Sequence, residues 1–200
     1  MKIETLVLND TNCYLISTEK SALVIDPGFK SDVPIDFFSD NKNKERLILL
    51  THAHFDHIGD AKRLRDISGV QIAIGENDNI ALSDNIINEG ANFGIYIEPF
   101  SADILLKNGQ SFTVGDIEIK VFELKGHTVG GACYLINNHL FTGDILFYRA
   151  FGNTCFNGGS RREMLNSLNF LFNAFPPETE VYPGHGISTT IGSEKNYYGR

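Results

Sequence analysis

Hydrophobic and polar positions divide the chain into short strand-like runs separated by turn residues, with few stretches of helical period. Ile3 to Leu8 is apolar-rich, "CYLIS" follows a turn at Asn9 to Asn12, and "ALVIDPG" ends in a Pro-Gly break. Ser31 to Phe38 reads as a short helix. "RLILLT" is an unbroken apolar run of strand length, the pattern of a strand buried on both faces. Gly59 to Ser68 reads as an amphipathic helix with Ala61, Leu64 and Ile67 on one face, and "VQIAIG" as another buried strand. From Asn77 to Phe100 the pattern weakens to a loop-rich, partly helical stretch.

Strand signals return with "QSFTVGDIEIKVFEL", two alternating runs about a tight "VGD" turn. "ACYLINNHLFTGD" reads as a hairpin about Asn137 and Asn138, residues that tolerate positive φ. Ser160 followed by Glu163 has the spacing of a capping box, and Leu165, Leu168, Leu171 and Phe172 recur at helical spacing behind it. "TEVYPGHG" is a last short strand with a Pro-Gly turn. Strands and a helix, then strands and a helix, predict two sheet halves with helices outside, in one domain over residues 1–200.

Composition narrows the function classes. With 42% hydrophobic and 21% charged residues, the chain is ordinarily globular. A formal charge of −8 argues against a nucleic-acid binder. Three widely spaced cysteines, Cys13, Cys133 and Cys155, form no metal pair and no disulfide framework, so a reducing compartment is expected. Cys13 and Cys133 read as core, and Cys155 as a small buried residue. The start of the chain has no signal-peptide pattern and no segment long enough to span a membrane, so the expected location is cytoplasmic, with no membrane partner.

The chemistry concentrates in "LLTHAHFDHIGDA", which places His52, His54, Asp56 and His57 within six residues. Residues two apart share a face of an extended chain, so His52 and His54 can aim at one ion. Asp56 and His57 lie where the chain turns away and can point to a second position. Imidazole and carboxylate are ordinary zinc ligands, and two metals about 3.5–4 Å apart form a hydrolytic pair. Further ligands stand beside glycines at strand ends: His127 in "LKGHTVGG", Asp144 in "LFTGD", His185 in "VYPGHG". His139, the sixth histidine, reads as a solvated hairpin residue.

"THAHFDHIGD", "GHTVGG", "TGD" and "PGHG", in that order, resemble the metallo-β-lactamase superfamily over essentially the whole chain. That resemblance implies an α/β fold, a four-layer αβ/βα sandwich with the metal site at one edge of the sheets. It also implies that His52, His54 and His127 hold the first metal, Asp56, His57 and His185 the second, and that Asp144 bridges them. "TGDILF", "NGGS" and "EVYPGHGISTTIGSEK" are most similar to short glyoxalase II-like proteins (hydroxyacylglutathione hydrolase-like). Since the chain stops at Arg200, the C-terminal helical domain that grips glutathione in full-length members is expected to be absent. Gly152-Asn153-Thr154-Cys155 also departs from the Gly-Arg-Thr-Asp common in relatives, so substrate contacts there do not carry over.

The resemblance implies a metal-dependent hydrolase with two zinc ions per chain, iron or manganese being the other candidates. Asp56 would orient the nucleophile and accept its proton. No extra acid is evident to protonate a leaving group, which favours a thioester, since a thiolate leaves unaided. A small-molecule substrate of this kind is expected, and Phe147, Tyr148 and Arg149 are candidates to line its cleft. A lactonase or other ester hydrolase, a mononuclear-iron persulfide dioxygenase, and a metal-binding module without activity are the alternatives.

Overall fold

The computed structural model describes residues 1–199. The first half forms a six-stranded mixed sheet in sequential order. Its strands are β1 (Lys2–Leu8), β2 (Thr11–Ser17), β3 (Ser21–Ile25), β4 (Glu45–Leu50), β5 (Ile72–Gly75) and β6 (Ile104–Leu106). β1 to β3 form an antiparallel meander, and β3 to β6 run parallel. β4 is buried from Leu47 to Leu50, as its unbroken apolar run predicts. The second half forms another six-stranded sheet from β7 (Ser111–Val114), β8 (Ile117–Glu123), β9 (Ala132–Ile136), β10 (His139–Gly143), β11 (Glu180–Pro183) and β12 (Thr189–Thr190). β10 and β11 are parallel neighbours, which requires a crossover between them.

Helices α1 (Val33–Asp40), α2 (Phe55–Ile58) and α3 (Ala61–Ser68) belong to the first half; α4 (Arg161–Ala174), the crossover, and α5 (Ile191–Tyr197) belong to the second. Three apolar clusters define the layers. Phe38, Ile58 and Leu64 of the first three helices pack on Ile48, Leu50 and Ile72 of the first sheet. Leu23, Ile25 and Leu49 meet Ile119, Val121, Tyr134 and Phe141 between the sheets. Met164, Leu168 and Leu171 of α4 cover Cys133, Leu140 and Val181. The result is the helix–sheet–sheet–helix sandwich that the resemblance implies, and each sheet's alternation follows from it. In β8, Ile117, Ile119 and Val121 are buried while Glu118 and Lys120 are exposed.

Several local expectations need correction. The segment after His54 is two helices: Asp56 and His57 ride the single turn of α2, and Gly59 and Asp60 separate it from α3. Ile67 is 58% exposed, because six residues carry it about 120° round the helix from Ala61. Leu165 is likewise exposed, and Met164 takes the inward position. Cys155 is exposed in a loop, whereas Cys13 and Cys133 are buried in strands as read. β12 and α5 lie beyond the last predicted strand.

Both parallel sets present their C-terminal ends at one edge of the sandwich, the usual place for a site in such sheets. There the two sheets are stitched together. The Asn12 amide donates to the Gly184 carbonyl at 2.7 Å, and the Ala132 amide to the Thr51 carbonyl at 2.7 Å.

Candidate metal centre

All seven predicted side chains converge at this edge. His52 and His54 follow β4, His127 follows β8, Asp144 follows β10, and His185 follows β11. Asp56 and His57 enter from α2. Three donor groups form, His52/His54/His127, Asp56/His57/His185 and, behind them, Asp26/His52/His57, each with its ligand atoms within 4.8 Å of one another; the first two contain only predicted ligands. In the first, His54 Nδ1 lies 2.7 Å from His127 Nε2. In the second, His185 Nε2 lies 3.3 Å from both His57 Nε2 and Asp56 Oδ2. Asp144 stands between them: its Oδ2 is 3.2 Å from His127 Nε2 and 3.5 Å from His185 Nε2, and its Oδ1 is 3.4 Å from His57 Nε2. His139 lies elsewhere, against Glu180.

The outer nitrogens of four imidazoles are tied down. His57 Nδ1 donates to Asp26 Oδ2 at 2.9 Å, His127 Nδ1 to the Asn153 carbonyl at 2.8 Å, and His185 Nδ1 to the Asp10 carbonyl at 2.7 Å. His52 Nδ1 lies 3.1 Å from the Thr51 hydroxyl, which itself donates to Asp26. Each ring therefore turns Nε2 inward, in the tautomer a metal ligand needs. Thr11 Oγ1 donates to Asp56 Oδ2 at 2.9 Å and fixes that carboxylate. These supporting groups were missed from the sequence. Asp26 alone had a readable signal, an acidic residue ending the apolar run that becomes the parallel neighbour of β4.

The electrostatics divide the cluster. Burial, then the neighbouring His57, keeps His52 well below the usual histidine range, and burial with His127 pushes His54 down to about 3. His57 goes the other way: burial opposes its charge, but Asp56, Asp144 and Asp26 together hold it well above its ordinary value. His185 is pushed up to about 10 by Asp144 and Asp56 against its burial. Asp144 and Asp56 are buried too, yet the histidine charges keep both well below the usual carboxylate range. Without metal, protons on His57 and His185 thus offset the carboxylates; a cation would displace them.

These residues fit a metal. His52 Nε2 and Asp144 Oδ1 are buried and lack a hydrogen-bond partner, although buried polar atoms are nearly always paired. An imidazole-and-carboxylate set of this size suits zinc or a neighbouring transition metal.

Beside the cluster lies a cavity of about 190 Å³ lined by Phe55, Glu89, Phe93 and Phe156 as well as by the site residues. Glu89, which the sequence reading passed over, is buried; it accepts from the Asn157 amide and from Asn92 Nδ2, both at 2.6 Å. Phe147, Tyr148 and Arg149 are not among the residues lining this cavity. Phe147 instead packs edge-on against His185 at 5.6 Å, and Arg149 stacks on Tyr148 and Tyr197 at 4.9 and 5.5 Å.

The chain is similar to several known proteins. BaeB of Bacillus velezensis, a probable polyketide biosynthesis zinc-dependent hydrolase, is 32% identical over 91% of this chain and 76% of its own. The hydroxyacylglutathione hydrolase GloC of Haemophilus influenzae is 30% identical over 92% of this chain and 89% of its own. The crystal structure of BLEG-1 B3 metallo-β-lactamase superposes with a TM-score of 0.89 at 33% identity, covering 98% of this chain and 97% of that one. The metallo-β-lactamase superfamily model matches residues 6–185, and the chain belongs to that superfamily.

Proposed function

We propose that the chain is a dinuclear zinc hydrolase acting on acyl thioesters, with His52, His54 and His127 holding one ion, Asp56, His57 and His185 the other, and Asp144 both. The observation that carries this reading is the pair of adjacent donor groups with Asp144 within 3.5 Å of members of each. Zinc held there supplies a nucleophile from water at neutral pH and polarises the acyl carbonyl. The chain's own part is positional. Asp56, fixed by Thr11, accepts the proton of the attacking water. The water oxygen bonds to the acyl carbon, the carbon–sulfur bond breaks, and the electron pair leaves with sulfur.

The leaving group decides the substrate class. Glu89, the cavity carboxylate outside the ligand set, already accepts N–H donors on both oxygens, and no other acid outside the ligand set lines the cavity to hand a leaving group a proton. A thiolate, with a pKa near about 8.5, leaves without one; an amine or alkoxide does not. GloC's name supports the thioester reading, and BaeB's supports zinc. Hydrolysis of a β-lactam is the second reading, favoured by the likeness to BLEG-1.

The test is a zinc-loaded assay of S-lactoylglutathione, an uncharged acyl thioester, a lactone and a β-lactam. Thioester turnover that chelation abolishes and zinc restores is expected. Turnover no faster than with free zinc, or of the β-lactam alone, overturns the reading. Metal analysis separates it from a mononuclear-iron oxygenase.

A further inference from the structure

We infer that a groove outside the metal cavity holds the thiol side of the substrate and selects one carrying a carboxylate, with Lys30 as its counter-charge. The inference rests on the hydrolase reading above and extends it to the substrate class.

Four rings pave a continuous track away from the metal cluster. Phe156 lies 5.5 Å from the His54 ring, Phe93 6.1 Å from Phe156, Phe55 5.0 Å from Phe93, and Phe29 6.1 Å from Phe55. Gly59 makes the last step possible: a Cβ there would meet the Phe29 ring at 2.3 Å. At the end of the track is a second cavity of about 540 Å³, which shares Phe55 and Asp56 with the metal cavity and adds Phe29, Lys30 and Tyr96. The two spaces divide an elongated ligand unequally. The cavity of about 190 Å³ at the cluster suits a small acyl group; the larger groove, on the Asp56 side, suits a bulkier thiol.

Charge gives the groove its selectivity. Asp56 and Lys30 are its charged lining residues, and Asp56 is committed to the cluster. Lys30 is exposed and makes no ion pair among the described residues. Nearby cations are spent: Lys62 pairs with Asp66 at 2.7 Å, and Arg63 pairs with Asp32. Arg149, the cation nearest Asp144 in sequence, is stacked on tyrosines. On a chain of net charge −8, an unpaired ammonium lining a cavity together with Phe29, Phe55 and Tyr96 beside the site favours an anionic, partly apolar ligand.

The experiment measures occupancy, not turnover. S-hexylglutathione, an anionic thioether that cannot be hydrolysed, and uncharged S-hexyl-N-acetylcysteamine are titrated by calorimetry into the zinc-loaded protein, its Lys30→Glu and Lys30→Met variants, and Tyr96→Ser. Lys30→Glu is expected to weaken the glutathione thioether about fivefold or more, the scale of an exposed ion pair lost and reversed. Lys30→Met should weaken it less, added salt should weaken it in the wild type, and the uncharged ligand should be indifferent to both lysine changes. Tyr96→Ser should weaken both ligands. No binding by the wild type, equal weakening of both thioethers by Lys30→Glu, or no change for either overturns the inference. Lys30-dependent binding in a protein that hydrolyses no thioester would sink the hydrolase reading alone. Binding of the glutathione thioether that is indifferent to Lys30, in a protein that does hydrolyse thioesters, would sink this inference alone.

Discussion

A methyl group at Gly184 has no room: its carbon would lie 2.2 Å from Asp144 Oδ1 and 2.8 Å from His57 Cε1. Gly184→Ala is therefore expected to displace the shared carboxylate and cost zinc affinity at both positions, read by competition with a chelating dye. Asp26→Asn leaves His57 Nδ1 without its carboxylate; the expected loss is about 10–100-fold in metal affinity or activity. Titration gives a third expectation. His185 is raised from 6.5 to about 10 in the metal-free protein, so its proton contributes stability that is complete below pH 6.5 and lost as pH rises toward about 10. Urea midpoints of the chelated protein should fall over that interval, and zinc should flatten the dependence by replacing the proton. At this scale the seven converging residues were legible because histidine is rare and glycine marks the strand ends. Their anchors were not: the Asp10 and Asn153 carbonyls are backbone atoms, which residue identity does not mark.

The N-cap of α4 shows why some elements could be read, although only half of the expected capping box forms, since the Ser160 amide donates to the Gly126 carbonyl at 2.8 Å and not to the Glu163 side chain. Ser160 Oγ accepts from the Glu163 amide at 3.3 Å, and Ser160→Ala should cost about 1 kcal/mol, measured by denaturant unfolding. The hairpin of β9 and β10 was equally readable, since Asn137 takes a φ of 55°. Helix α5 was not: it has seven residues and two buried side chains, Ile191 and Glu194, too few for a periodic signal. The break between α2 and α3 was hidden because "FDHIGDAKRLRDIS" keeps a helical composition throughout. Packing decides it, with Gly59 giving way to Phe29.

Across the whole molecule, the metal edge depends on two sheets meeting in register. Leu49 is fully buried between them, one residue before the end of β4. Leu49→Ala should destabilise the protein by about 2–5 kcal/mol, seen as a lower urea midpoint. The two-sheet architecture was legible because strand-length apolar runs recur on both sides of the weak Asn77–Phe100 stretch. The substrate groove was not, since Phe29, Phe55, Phe93 and Phe156 come from four separate segments that only the closed sandwich brings into line.

The account turns on two ions sharing Asp144. Native mass spectrometry of the zinc-reconstituted chain and of its Asp144→Ala variant tests this directly. Two zinc ions per wild-type chain and fewer than two in the folded variant are predicted; one ion in the wild type, or two retained without Asp144, would contradict the account.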